Sequence, residues 1–320
     1  MGAGRNSYFG YVQETTWGTP VTPPTKWLEI VSESMEDINT KVARPVVRGL
    51  HKREGNLYDE KQGGAGPVAC ELNYVGLLRL LEHLMGTSPS ATPFDTGARN
   101  EFLFTLAAGE LMAGKGLTGY LFRDQTQEEQ YAGLKIRSGT FSFDPKRNGQ
   151  LELDFVAKAM LQVATTTPTF PGTSTYVAGH QCVCEMDDVV RAFDSATIAV
   201  NNALDDDKRV LGSKNIAEPV RADTVEVTGT ISADAVQADL TKYKNDTLFK
   251  LEFLHTGPVL GTGNYKLNFI LNKCRLTKAP YKVDGPGIVK SDLEFEALLP
   301  TSGLADMLQV LASTNETVIA

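Results

Sequence analysis

The sequence predicts a mainly β (β+α) fold: two tandem β-sandwich or partial-barrel modules, each with a flanking helix. Three observations lead there. Glu152-Leu153-Asp154-Phe155-Val156-Ala157 and Asp292-Leu293-Glu294-Phe295-Glu296-Ala297 share one pattern of acid, Leu, acid, Phe, any residue, Ala. The spacing is constant, since 293 − 153 and 295 − 155 both equal 140. The segments before each copy also run in one order: strand, long excursion, strand, helix, further strands, closing hairpin. Finally, the strand candidates alternate apolar and polar residues with the period of two that half-buried strands need.

Taken in order, residues 1–26 are rich in Gly, Thr and Pro, and prolines this dense oppose both helix and central strand. This segment is expected to be an extended arm, with Tyr8 and Trp17 as anchors on a neighbouring surface. Trp27 to Asn39 reads as strand. Arg44 to Gly66 is a polar, glycine-containing excursion of mixed charge, and Pro67 to Leu72 is again strand-like. In Val75 to Met85, Leu77, Leu78, Leu81, Leu84 and Met85 form one helical face, and Gly86 ends it. Glu101–Thr105 and Leu117–Phe122 are short strands. Leu134–Phe143 and Leu151–Ala159 make a hairpin over Asp144-Pro145-Lys146-Arg147-Asn148-Gly149. The Thr-, Pro-, Ser- and Gly-rich stretch 165–179 is the natural linker, so 27–164 is the first module and 180–320 the second.

The second module repeats the order. Ser195–Asn202 is a strand, Val210–Pro219 a shorter excursion, and Thr224–Ile231 a cleanly alternating strand. Ser232 is a candidate N-cap for a helix with the stripe Val236, Leu240, Tyr243. Leu248–Leu254, Tyr265–Leu276 and Val289–Leu299 are strands, and Ser302–Ala312 is expected to be a terminal helix.

Composition restricts the function classes. The 320 residues hold 42% hydrophobic and 22% charged residues, which is globular. The net charge of -8 would repel a polyanion rather than hold it. No apolar run reaches the ~20 residues of a membrane span, and Met1–Gly10 has no signal-peptide pattern. Cys70, Cys182, Cys184 and Cys274 form no disulfide framework, which suits a reducing cytoplasm. His51, His83, His180 and His255 show no ligand spacing, and neither Ala113–Gly119 nor Gly261-Thr262-Gly263 is a phosphate cradle. Asp187-Asp188 and Asp205-Asp206-Asp207 lack a calcium-loop ladder and read as solvated turns. No cofactor and no enzyme activity is expected. Glu152 and Asp154, like Glu294 and Glu296, fall on the strand face opposite Leu and Phe; that face is either a solvated exterior or the wall of a polar channel.

The opening Gln13-Glu14-Thr15-Thr16-Trp17-Gly18-Thr19-Pro20, the strand–loop–strand–helix unit at 27–85 and 196–244, and the closing hairpin ending in Leu-acid-Phe resemble the tail tube proteins of long-tailed (siphovirus-type) bacteriophages with a duplicated tube module. The resemblance covers most of the chain. It implies modules side by side in a ring, their sheets joined into one inner β-barrel, and rings stacked into a hollow tube. A two-module chain would close a pseudo-sixfold ring as a homotrimer. The resemblance also implies a place in the virion tail after assembly in the host cytoplasm. The implied partners are other copies, tape measure protein and tail terminator or distal tail proteins, with double-stranded DNA passing unbound and no membrane contact. The long loop of such proteins touches the next ring; here it maps to Arg44–Gly66 with Arg48, His51, Lys52, Arg53, Tyr58 and Asp59, and Val210–Pro219 is its shorter partner. Glu152, Asp154, Glu294 and Glu296 are the candidate lumen wall. The alternatives are a tube subunit of another phage-like injection apparatus, or a carbohydrate-binding or carbohydrate-processing β-sandwich; the latter would need paired carboxylates and aromatic platforms, and the two tryptophans both lie near the N-terminus.

Overall fold

Alternating sequence becomes paired strand through most of the chain. The computed structural model describes residues 6–43, 57–94, 98–170, 175–280, 288–301 and 303–319. The strands are β1 (Tyr8–Gln13), β2 (Lys26–Leu28), β3 (Ile30–Glu33), β4 (Glu36–Ala43), β5 (Leu57–Glu71), β6 (Thr92–Phe94), β7 (Arg99–Thr105), β8 (Leu117–Phe122), β9 (Glu128–Phe143), β10 (Gln150–Ala157) and β11 (Ala159–Val163). They continue as β12 (Cys182–Met186), β13 (Val189–Val190), β14 (Ser195–Asn201), β15 (Leu204–Asp205), β16 (Val220–Arg221), β17 (Glu226–Asp234), β18 (Phe249–Leu260), β19 (Gly263–Lys278), β20 (Lys290–Ala297) and β21 (Gln309–Thr314). Among the described residues two α-helices interrupt them, α1 (Leu78–Met85) and α2 (Gln237–Lys244).

All ladders are antiparallel. A central sheet runs β5–β10–β9–β14–β17–β20–β19, with β3 and β4 side by side on the outer edge of β5. The 16-residue strands β9 and β19 each serve two layers. Their C-terminal parts lie in the central sheet. Their N-terminal parts join further layers, β2–β1–β8–β9–β11 built around β9 and β6–β7–β21–β19–β18–β12–β13 built around β19. The inward residues of both layers form one core. Phe9 of β1 meets Phe155 of β10 with ring centres 5.8 Å apart, and Phe141 of β9 meets Phe269 of β19 at 4.7 Å.

The predicted elements stand with four corrections. The first concerns the excursion Arg44–Gly66: Leu57 to Gly66 belong to β5, paired with β4 and β10. Its glycines serve close approach, not flexibility, since a Cβ on Gly64 would lie 2.8 Å from the Tyr131 ring and one on Gly66 2.3 Å from the Ser34 carbonyl oxygen. The second concerns the extended arm. Tyr8–Gln13 is a strand between β2 and β8, because the aromatic run Tyr8-Phe9-Gly10-Tyr11 suits a buried pleat. The third is Ser232, which caps no helix; it lies in β17 opposite Asp292, and α2 starts at Gln237. The fourth is Ser302–Ala312, where Leu308, Val310 and Ala312 are buried with strand periodicity and β21 fills the gap between β7 and β19.

The helices differ in setting. Leu80, Leu81, Leu84 and Met85 of α1 are buried, and Gly86 closes the helix in the left-handed conformation. The stripe expected on α2 is instead largely open, with Val236 45% and Tyr243 42% exposed, while Asp239 is buried. That carboxylate is held bidentately by the Arg191 guanidinium.

Candidate functional site: the polar face and edges of the central sheet

The echoed strands β10 and β20 occupy matching positions. Each lies between two strands of the central sheet, β10 between β5 and β9, β20 between β17 and β19. Phe155 stands opposite Gly66, and Phe295 opposite Gly229. Glycine is needed at both points, since a Cβ on Gly229 would fall 2.2 Å from the Thr197 carbonyl oxygen and 2.4 Å from the Phe295 ring. Both flanking ladders also slip at one point, between Ile136 and Ser138 in β9 and between Leu276 and Lys278 in β19. The offset is again 140, because 276 − 136 and 278 − 138 agree.

Leu153, Phe155, Leu293 and Phe295 point into the core, as their burial shows. The four acids therefore lie on the other face, with Glu152 exposed and Asp154, Glu294 and Glu296 half-buried. Around them are short polar and small side chains, including Ser138, Thr140, Thr197, Ala199, Thr228 and Thr230. Three of the four acids carry a cation beside them. Arg137 lies 2.7 Å from Asp154 and 2.5 Å from Asp206, Arg275 2.5 Å from Glu296, and Lys278 2.5 Å from Glu294. Glu294 holds the Lys278 ammonium above its usual range. The face is thus a lattice of small hydroxyls and paired charges; among the described residues, Glu152 has no cationic partner. Arg137, Arg275 and Lys278 escaped the sequence reading because cross-strand partners depend on register, which the chain order does not show.

The edges of this sheet are as telling as its face. Within the chain, β14 pairs along β9 from Ala196 opposite Phe143 to Asn201 opposite Ser138. Asn202 seals the end of that seam. It is fully buried; its backbone N–H donates to Arg137 O at 2.9 Å, and its amide donates to Leu84 O of α1 at 3.0 Å and to Ile136 O at 3.2 Å. Its Oδ1 accepts from Arg221 at 3.2 Å. Nothing in the sequence singles Asn202 out. At the two ends of the sheet, among the described residues, the outer edge of β4 and the edge of β19 beyond Cys274 have no strand beside them.

The remaining candidates fall elsewhere. Tyr8 is buried in its own chain, stacked on Phe122 at 4.9 Å, and its hydroxyl donates to Thr166 O at 2.9 Å. Trp17 donates to Gly133 O at 2.9 Å with the Lys158 ammonium over its ring. Both pack against surfaces of their own chain. Arg48, His51, Lys52 and Arg53 lie outside the described residues. Tyr58 and Asp59 lie in β5, opposite Val42 and Lys41. The shorter excursion packs back on this ribbon: Lys61 pairs with Asp207 at 2.7 Å, and Gln62 N–H donates to Lys214 O at 3.0 Å. The carboxylates of Glu185, Asp188 and Glu252 converge, but the Lys250 ammonium lies 2.8 Å from Asp188 and 3.0 Å from Glu252 and supplies the cation itself.

Wide antiparallel sheets, one of them with a polar face, define a β-rich protein. A family model described as phage tail tube protein matches residues 4–297, and the chain belongs to that family. No curated protein was found as a sequence relative. The protein is a structural component of the phage tail tube.

Proposed function

We propose that the chain is a duplicated tube module, that three copies close a pseudo-sixfold ring, and that stacked rings form a hollow tube conducting DNA during ejection. Residues 27–164 and 180–320 would be the two modules, with the segment between them as linker. The observation that carries this reading is the β9–β14 seam. It joins the halves edge to edge into one sheet and, among the described residues, leaves an edge with no strand beside it at either end, β4 on the first half and β19 on the second. A sheet with two open edges of this length is a hazard unless assembly closes it. Closure around a ring removes both edges at once.

In that ring the polar face is the wall of the lumen, carrying Glu152, Asp154, Glu294 and Glu296. Paired charges and hydroxyls suit a conduit, because they offer no track of unpaired cations for phosphate to grip. No step calls for catalysis. Tape measure protein would fill the lumen before DNA does, and terminator and distal tail proteins would meet the two tube ends. Assembly would occur in the host cytoplasm.

Contact between rings is assigned to the segment that joins β4 to β5 and the start of β5, with Arg48, His51, Lys52, Arg53, Tyr58 and Asp59. The pairing of Leu57–Gly66 narrows the test. Removing Leu50–Gly64 would cut into a central ladder, whereas replacing 45–56 by a short turn spares it. Native mass measurement of the smallest assembly should give three copies, and electron microscopy of the shortened protein should show rings without long tubes. A six-copy ring would overturn the stoichiometry, and full-length tubes from the shortened protein would overturn the role of that segment.

A further inference from the structure

The in-chain seam has a counterpart at the open ends. The registers place the two halves in correspondence, since Phe155 faces Gly66 as Phe295 faces Gly229, and 229 − 66 equals 163. Val200 stands opposite Val227 and Asp37 opposite Gly64, with 227 − 64 again 163. Asp37 therefore holds the place of Val200, and Asn39 the place of Asn202. On the receiving side the offset is 140, so Arg137 corresponds to Thr277, Ser138 to Lys278 and Ile136 to Leu276. The start of the neighbouring strand agrees too: Leu117 of β8 stands opposite Leu134, and Phe249 of β18 opposite Cys274. The helix packed on each receiving strand is likewise equivalent, α1 on β9 and α2 on β19.

The direction of the backbone groups supports this match. Ser34 N–H donates inward to Pro67 O at 2.9 Å. By the alternation of an antiparallel ladder, Met35, Asp37 and Asn39 turn their N–H and C=O groups to the outer edge. Met35 is already occupied by its own chain, its N–H by the Glu33 carboxylate at 3.0 Å and its carbonyl by Arg123 at 2.5 Å. Asp37 and Asn39 are exposed. The open stretch thus begins at Asp37. Acidic Glu36 and Asp37 would approach Lys278 on the receiving strand, which favours the encounter.

We propose that a second copy of this chain lays Asp37–Asn39 of β4 against Thr277–Ala279, and that its Asn39 amide seals the seam on Leu276 O as Asn202 seals the in-chain seam on Ile136 O. This deepens the ring reading above and rests on it. The partner is a second copy because the receiving edge reproduces, strand for strand, the edge that β14 already fills.

Cysteine pairs test the register. In the Cys182→Ser, Cys184→Ser background, Ile38→Cys with Lys278→Cys should form an inter-chain disulfide in assembled rings, since directly opposed Cβ atoms lie within reach. Asn201→Cys with Ser138→Cys is the in-chain equivalent and should link within one chain. Glu36→Cys with Lys278→Cys is two residues off register and should not link. Rings that link only off register, or not at all, overturn the proposed seam while leaving the ring standing. A chain that forms no ring by mass overturns the seam together with the ring. Asn39→Ala should raise the concentration needed for ring closure about tenfold and leave the melting of the isolated chain unchanged. An unchanged closure concentration would remove Asn39 from the role.

Discussion

The hairpin β9–β10 and the hairpin β19–β20 are built alike: each has a Phe set against a glycine, a slip at the same point, and charged residues on one face. They differ in what lies beside them. The free side of β9 is filled by β14 and sealed by Asn202, whereas the corresponding side of β19 has no strand among the described residues. The first edge is a finished junction within the chain, and in the proposed ring the second is half of one. The way to break this comparison is to disturb what the two hairpins share and then what only one of them has.

The largest effect should come from the shared glycines. Gly229→Val would put a side chain where the Thr197 carbonyl and the Phe295 ring already are, and Gly66→Val would meet the Ser34 carbonyl at a φ of 147°. Each should cost about 3 kcal/mol or more, from overpacking at both positions with backbone strain added at Gly66. Urea unfolding should show both. A midpoint near that of the parent for either variant would mean that the Phe–Gly pairing is incidental to the hairpin.

These glycines also show how far the sequence could be read. The echo of Leu, acid, Phe was visible because burial imposes period two on a strand, and both strands sit in the same surroundings. Leu153 and Phe155 could be placed in the core from pattern alone. Gly63, Gly64 and Gly66 misled, because glycine signals a loop locally and close strand approach only when the partner is known. Ser302–Ala312 misled for a related reason: Leu304, Leu308 and Leu311 fit a helical spacing, and only the slot between β7 and β19 selects the strand. Asn202 was illegible, since its value lies in three backbone carbonyls and one guanidinium from distant parts of the chain.

The next comparison is between the helices. Leu81→Ala in α1 empties a fully buried site and should cost about 2–5 kcal/mol. Asp239→Ala in α2 strands the Arg191 guanidinium and should cost about 3 kcal/mol. The two losses should differ in reach. Hydrogen exchange should rise across the first half for Leu81→Ala, and only around α2 and β13 for Asp239→Ala, because α2 is otherwise open. Equal spread in both variants would show that α2 is part of the core after all.

A third comparison uses one buried histidine in each half. Burial pushes His83 down to about 3 and His255 down to about 4. Both folded values lie below the ordinary 6.5, so the unfolded chain takes up these protons first. Stability from this source is complete above pH 6.5, falls as pH drops toward 4, and levels off once the folded histidines titrate. The slope is at most ~1.4 kcal/mol per pH unit for each histidine. His255→Leu, set among Phe143 and Phe269, should remove about half of it between pH 6.5 and 4.5. An unchanged slope in urea titrations would assign the acid sensitivity to carboxylates instead.

The smallest effect should separate a charge that serves the isolated chain from one that does not. Lys278 and Glu294 form a pair at the surface, with side chains 57% and 42% accessible, and solvent screens such a pair so that it adds little to stability. Arg137, in the equivalent ladder, is less exposed and bridges Asp154 and Asp206. Arg137→Ala should therefore lower the stability of the isolated chain by about 1 kcal/mol, and Lys278→Ala should leave it nearly unchanged. Ring assembly should reverse the order of importance, because the in-chain seam beside Arg137 is already covalently tethered while the seam beside Lys278 forms only on encounter. Lys278→Ala should slow association and flatten its dependence on salt, which light scattering at two ionic strengths would follow. If Lys278→Ala associates as fast as the parent at low salt, the positive charge on the β19 edge belongs to the polar face alone and takes no part in bringing the chains together.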